Sequence, residues 1–201
     1  QSIYEVPVSL PSYDSSNPEM MLITSNSDWA QINNASKKYF YVTPGDYTGL
    51  GAITLTRDGT SNSKRYIMLY NGNNTHPGKL PMNTSNLARV QLYLNGADYW
   101  VIDRMACWNK TAGSFKPILL RNAKNNVINR FFSHDVGDGI SLRTGCDGNT
   151  IQKSRIERDN INMYHDRPAC GMINENLPNI RITNTHFIDN EVYNYVDGFQ
   201  T

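Results

Sequence analysis

The chain has 201 residues, of which 18% are charged and 39% hydrophobic, and its formal net charge is +1. That length suits one ordinary domain with a substantial core. The near-neutral balance excludes a general attraction to nucleic acid or to an anionic membrane, so any charged site must be local. No apolar run approaches the roughly 18 residues that span a bilayer. The first ten residues are neither basic nor continuously apolar, unlike a signal peptide and like the N-terminus left after one is removed.

Asn, Thr, Ser, Gly and Tyr dominate, which predicts short strands joined by many turns. Ser27, before 28–32, reads as the N-cap of a short helix. The stretch 39–43 reads as a strand ending in a Pro44-Gly45-Asp46 turn, and 53–55, 66–70 and 90–94 continue the series. Residues 72–86 read as a polar loop.

A repeat emerges in the second half. Segments 95–102, 121–128, 143–151 and 175–182 share a polar Asn/Gly corner followed by an isoleucine, at Ile102, Ile128, Ile151 and Ile182. Strands at 118–120 and 140–142 precede the corners, and shorter β segments follow at Phe131-Phe132, Arg155-Ile156 and His186-Phe187. Two or three strands per repeat of about 20 to 30 residues predict an all-β chain wound as a solenoid, whose stacked turns pair as parallel sheets. A β-sandwich also has short strands but predicts hairpins at the corners. Corner asparagines would form amide ladders between turns of the solenoid. The expected division is an extension and helical cap over 1–36, then solenoid over 37–201. Residues 196–201 read as the start of another turn, hence a fragment of a longer chain or one completed by a partner copy.

Cys107, Cys146 and Cys170 are odd in number, so at least one thiol has no partner within the chain; their spacing does not suggest zinc. Acceptor triplets for N-glycosylation begin at Asn34, Asn73, Asn83 and Asn109, about as many as chance supplies.

Stacking turns repeats into columns. Asn95, Arg121, Arg143 and Glu175 are expected to project from successive strands of one sheet, with Leu94, Leu120 and Leu142 pointing inward. A second column would hold Lys116, Asp138, Cys170 and Asp197. Together they form a charged strip suited to a long sugar chain. Arg121, Glu175 and Lys116 are the expected substrate contacts. Arg143 would neutralise a uronate carboxylate during proton removal. Asp138 and Asp197 would hold calcium or, about 9 to 10 Å apart along the axis, act as the carboxylate pair of an inverting hydrolase. The insertion at 157–169 brings Tyr164, His165 and Arg167 together, side chains suited to base, acid and clamp; His134-Asp135 would line the same wall. Tyr93, Tyr99, Trp100, Trp108 and Tyr164 are candidate stacking surfaces for sugar. The plainer alternative is a surface ladder of ion pairs, a solvated loop and aromatic anchors.

Val42-Thr-Pro-Gly-Asp-Tyr47, Asp138-Gly-Ile-Ser-Leu142 with Gly148-Asn-Thr-Ile151, and Asp197-Gly-Phe-Gln200 resemble the pectate-lyase-like superfamily of right-handed parallel β-helices. The resemblance runs from about residue 37 onward. It implies a secreted or cell-surface protein acting on an acidic polysaccharide, foremost by β-elimination, with hydrolysis or epimerisation as alternatives. Non-catalytic fibres, adhesins and tailspike-like glycan binders share the scaffold. Of the polygalacturonase motifs, Val136-Gly-Asp-Gly139 keeps only Asp-Gly. Trp100-Val-Ile-Asp-Arg104 lacks the histidine that pectate lyases carry.

Overall fold

Short apolar runs bounded by Gly, Asn and Asp are too brief for helices and become strands that must borrow partners from elsewhere in the chain. A computed structural model describes residues 5–70, 86–110, 115–158, 170–173, 181–193 and 199–200. After β1 (Met20–Ile23), the strands come in threes. They are β2 (Tyr39–Val42), β3 (Gly45–Asp46) and β4 (Ile53–Leu55); β5 (Arg65–Leu69), β6 (Ala88–Arg89) and β7 (Leu92–Asn95); and β8 (Trp100–Asp103), β9 (Met105–Lys110) and β10 (Ile118–Arg121). Then follow β11 (Val127–Asn129), β12 (Phe132–Val136) and β13 (Ile140–Arg143); β14 (Thr150–Gln152), β15 (Arg155–Glu157) and β16 (Cys170–Ile173); and β17 (His186–Ile188), β18 (Glu191–Tyr193) and β19 (Phe199–Gln200).

Each member of a triplet joins a different sheet. The first sheet is ordered β1-β2-β5-β8-β11-β14-β17, the second β3-β6-β9-β12-β15-β18 and the third β4-β7-β10-β13-β16-β19. Every strand pairing among them is parallel, so the chain is all-β and visits the three sheets in turn. The corners expected to separate a sandwich from a stack, at Asn125-Asn126 and Asp147-Gly148, join no hairpin.

The register of the first sheet aligns Phe40, Ile67, Ile102, Ile128, Ile151 and Phe187. The first five are fully buried, and each contributes roughly 1.5–3 kcal/mol relative to exposure. Ile182 is not the fourth anchor: Phe187 takes that place. Thr183 is bridged to Asp147 and its N–H donates to the Cys146 carbonyl at 3.0 Å, which puts Ile182 in the corner. There it packs part-buried against the core.

The corners recur as strictly as the strands. Asn126 and Asn149 are fully buried and form an amide ladder, Nδ2 of Asn126 donating to Oδ1 of Asn149 at 3.1 Å. Just before them, Asn125 (φ 55°) and Gly148 (φ 63°) take left-handed backbone. A Cβ on Gly148 would lie 2.5 Å from Asn125 Oδ1, so another residue would strain the left-handed backbone and displace that side chain. Past the first sheet, Arg104, Arg130, Lys153 and Asp189 are left-handed as well, with φ between 51° and 59°.

The helix expected over 28–32 is instead a 3-10 helix, Asn26–Gln31, with Ser25 as its N-cap. The Asp28 carboxylate accepts the N–H groups of Thr24 and Ser25, each at 2.8 Å, which draws the start back two residues. Trp29 and Ile32 are buried in the main core. The N-terminal segment lies on the outer face of the first sheet: Tyr41 Oη donates to the Pro11 carbonyl at 2.8 Å, and the Tyr13 ring meets those of Tyr41 and Tyr70 at 5.2 and 5.5 Å. No described helix is long and apolar enough to cross a membrane.

Candidate functional site

The third sheet presents its charged residues at two levels. Inward, Ile118, Leu120, Ile140 and Leu142 are fully buried. The residues after Leu120 and Leu142 are Arg121 and Arg143, which fall side by side because Leu120 pairs with Leu142. Both are part-buried, on strands separated by about 4.8 Å. Asn95 is the register partner of Arg121 on the other side, as the repeat predicts. Arg143 has no hydrogen bond or ion pair from its guanidinium among the described residues.

Lys116 and Asp138 enter the same two strands. Lys116 Nζ lies 3.1 Å from Asp138 Oδ2, with the side chains 13% and 3% exposed. The backbone fixes this pair, since the Asp138 N–H donates to the Phe115 carbonyl at 3.3 Å and Gln91 Nε2 to the Lys116 carbonyl at 3.0 Å. Over 115–121 and 138–143 the charged residues are Lys116, Arg121 and Arg143 against Asp138 alone. This face is cationic although the chain as a whole is close to neutral.

The next strand breaks the predicted columns. Cys170 pairs with Ile140, and Ile173 with Arg143. The repeat had put Cys170 beside Asp138 and Glu175 beside Arg143. Both assignments are out of register by two residues, because Cys170-Gly171 copies the polar-Gly spacing of Asp138-Gly139. Glu175 and Asp197 lie outside the described residues, as do Tyr164, His165 and Arg167.

The structure adds groups that the repeat did not reveal. Arg158 is 1% exposed and donates from Nη2 to the Gly137 carbonyl at 3.0 Å, immediately before Asp138. In the second sheet, His134 lies in register between Trp108 and Glu157. Its Nδ1 is 3.6 Å from Asp135 Oδ2. Glu157 is 6% exposed and accepts from Arg155 Nε at 2.6 Å; that hydrogen bond raises the Arg155 pKa. The chain thus gathers His134, Asp135, Asp138, Glu157 and Arg158 where the second sheet hands over to the third. His134-Asp135 was visible in the sequence as a neighbour pair; Glu157 and Arg158 stood at the start of the insertion with no role assigned to them.

Of the aromatic candidates, Trp100 is a core residue: it is fully buried and its Nε1 donates to the Arg57 carbonyl at 2.7 Å. Tyr99 sits at a left-handed turn, φ 59°. Trp108 carries the Arg89 guanidinium over its ring at 5.1 Å. Tyr93 is part-buried on β7, one strand from Leu119. Cys107 and Cys146 are buried and form no disulfide among the described residues; burial raises the pKa of Cys146, which does not suit it to act as a nucleophile.

Asp138 is one of the two residues expected to hold calcium, and the other, Asp197, lies outside the described residues. The Asp138 carboxylate already faces an ammonium at 3.1 Å and is nearly closed to solvent, whereas calcium takes six to eight oxygens. Among the described residues no group of three or more His, Cys, Asp or Glu is placed to hold a metal. A carboxylate-bearing ligand is what the arginine pair can accept, since guanidinium forks match carboxylates in bidentate geometry. No family model, no curated protein and no solved structure matches the chain.

Proposed function

We propose that the three parallel sheets are the walls of a right-handed parallel β-helix, and that the protein is a secreted enzyme cleaving a uronate-containing polysaccharide by β-elimination. The observation that carries this reading is the adjacency of Arg121 and Arg143 on one outer face, with no partner for the Arg143 guanidinium among the described residues. The two guanidinium groups stand on adjacent strands about 4.8 Å apart, within reach of one chain of sugars.

In the elimination, a base removes the C5 proton of the uronate. The C5–H electron pair becomes the C4–C5 double bond, the C4–oxygen bond breaks, and the leaving oxygen takes up a proton. Negative charge grows on the carboxylate as the proton departs, and a guanidinium in place stabilises it more in the transition state than in the ground state. Arg143 has that role, with Arg121 and Lys116 along the same chain of sugars. Tyr164 or His165 is the proposed base and Arg167 a second clamp. No step of this proposal is routed through calcium; Lys116 Nζ lies 3.1 Å from Asp138 Oδ2.

The test is incubation of the full chain with polygalacturonate and with alginate, with and without calcium. Ultraviolet absorbance would follow unsaturated uronate ends. Rising absorbance is the expected result. New reducing ends without absorbance would overturn elimination in favour of hydrolysis. Retention on the polysaccharide with no product would leave a non-catalytic glycan-binding protein.

A further inference from the structure

The segment that begins at Glu5 crosses the outer face of the first sheet without forming a strand ladder. Pro7 and Pro11 have no N–H to give, so continuous backbone pairing is closed to it. A side chain substitutes. The Gln152 amide accepts the Val6 N–H on Oε1 and donates from Nε2 to the Val6 carbonyl, both at 2.9 Å, as a neighbouring strand would. Glu5 forms an ion pair with Lys153.

Beneath this contact lies a cavity of about 390 Å³, lined among others by Glu5, Asn129, Arg130, Gln152 and Lys153. Its floor is a polar ladder across three strands. Gln152 Nε2 donates to Asn129 Oδ1 at 3.0 Å, and Asn129 Nδ2 to Asp103 Oδ1 at 2.5 Å. Asp103 is fully buried, Asn129 2% exposed and Gln152 1% exposed. Arg130 engages Asp103 through Nε at 3.1 Å and Nη2 at 2.9 Å, and a guanidinium has five N–H donors. The Arg130 and Lys153 side chains remain 23% and 44% exposed.

The backbone here is costly. Arg104, Arg130 and Lys153 occupy left-handed positions on three successive passes, each at a cost of about 1 kcal/mol or more for a residue with a Cβ. Glycine or asparagine would fit with less strain, yet each position carries a cation.

We infer that this groove is a binding site for a carboxylate-bearing chain, such as an acidic oligosaccharide, and that the N-terminal segment occupies it in cis with the Glu5 carboxylate on Lys153. The segment is a competitor: ligand and Glu5 take the same ammonium, so weakening the ion pair favours the ligand. The groove lies on a different sheet from Arg143, and the inference holds whether or not the third sheet performs an elimination.

Isothermal titration of the full chain with trigalacturonate tests it. Glu5→Gln is expected to bind at least about fivefold more tightly than the native chain, the low end of coupling between linked equilibria. Adding Lys153→Ala to that variant is expected to remove the gain. Unchanged or weaker affinity in Glu5→Gln would overturn the inference. So would a gain that persists without Lys153.

Discussion

Asn126 and Asn149 stand one strand apart in the corner before the first sheet, and each amide completes the backbone of the pass before it. Asn126 Oδ1 accepts the Trp100 N–H at 2.8 Å while its Nδ2 donates to the Ala97 carbonyl at 3.0 Å; Asn149 Nδ2 donates to the Ala123 carbonyl at 2.8 Å. All of this is buried away from water. Asn126→Ala would strand the Trp100 N–H and the Ala97 carbonyl, at roughly 1–3 kcal/mol for each buried group left unsatisfied. A loss of about 3 kcal/mol in denaturant unfolding is expected, and a loss under 1 kcal/mol would mean that the corner relaxes.

The Lys116–Asp138 pair should behave asymmetrically. Removing one partner leaves the other charge in a site nearly closed to solvent, so Lys116→Met is expected to cost about 3–5 kcal/mol. Replacing both, Lys116→Met with Asp138→Leu, should recover most of that loss, because two apolar side chains need no partner there. Unfolding free energies of the two variants make the comparison. Equal losses in both would show that the packing of these positions matters more than their charges.

Much of this architecture was legible because its signals are local and repeated. The Ile102, Ile128 and Ile151 column and the Asn corners follow from the period of the sequence, and the arginine adjacency follows from them. Legibility failed where one pass differs from its neighbours. Thr185 stands where Asn126 and Asn149 stand in earlier passes, so the corner signature is missing and the eye moves to the apolar pair at Ile180 and Ile182. The contact of Val6 with Gln152 joins residues 146 apart, and no periodicity announces it. Left-handed turns at Arg130 and Lys153 were hidden for a different reason: side-chain type predicts glycine or asparagine there, and tertiary pairing holds arginine and lysine instead.

Acid should weaken the fold through particular carboxylates. Hydrogen bonds from Thr183 Oγ1 at 2.6 Å and Asn184 Nδ2 at 2.9 Å hold the Asp147 pKa below its ordinary value, and the Thr24 N–H does the same for Asp28. A folded-state pKa below the unfolded one contributes stability above the unfolded value, about 3.9, that is lost as pH falls through the folded one. Asp98 opposes this, because burial raises its pKa, so its share of stability grows as the solution becomes acidic. The unfolding midpoint is expected to drop below about pH 4, and less steeply in Asp147→Asn combined with Asp28→Asn. An unchanged acid limb in that variant would assign the loss to other groups.

Arg143 is the residue on which the elimination reading depends most directly. It shares β13 with Ser141 and follows Leu142, whose burial fixes the direction in which Arg143 points. An exposed arginine that merely balances surface charge contributes about 1 kcal/mol or less, and its loss would leave catalysis unaffected. A guanidinium that meets charge developing on a carboxylate acts in the transition state, so Arg143→Ala is expected to lower kcat at least about 100-fold on a uronate polymer, the scale of one removed electrostatic donor. KM should change far less, because binding along several sugars is shared with Arg121 and Lys116. Arg143→Lys keeps the charge but not the bidentate fork, and should fall between the two. A kcat within a few-fold of native in Arg143→Ala would return the arginine pair to the surface and place the chemistry at His134, Glu157 and Arg158, where the second sheet meets the third.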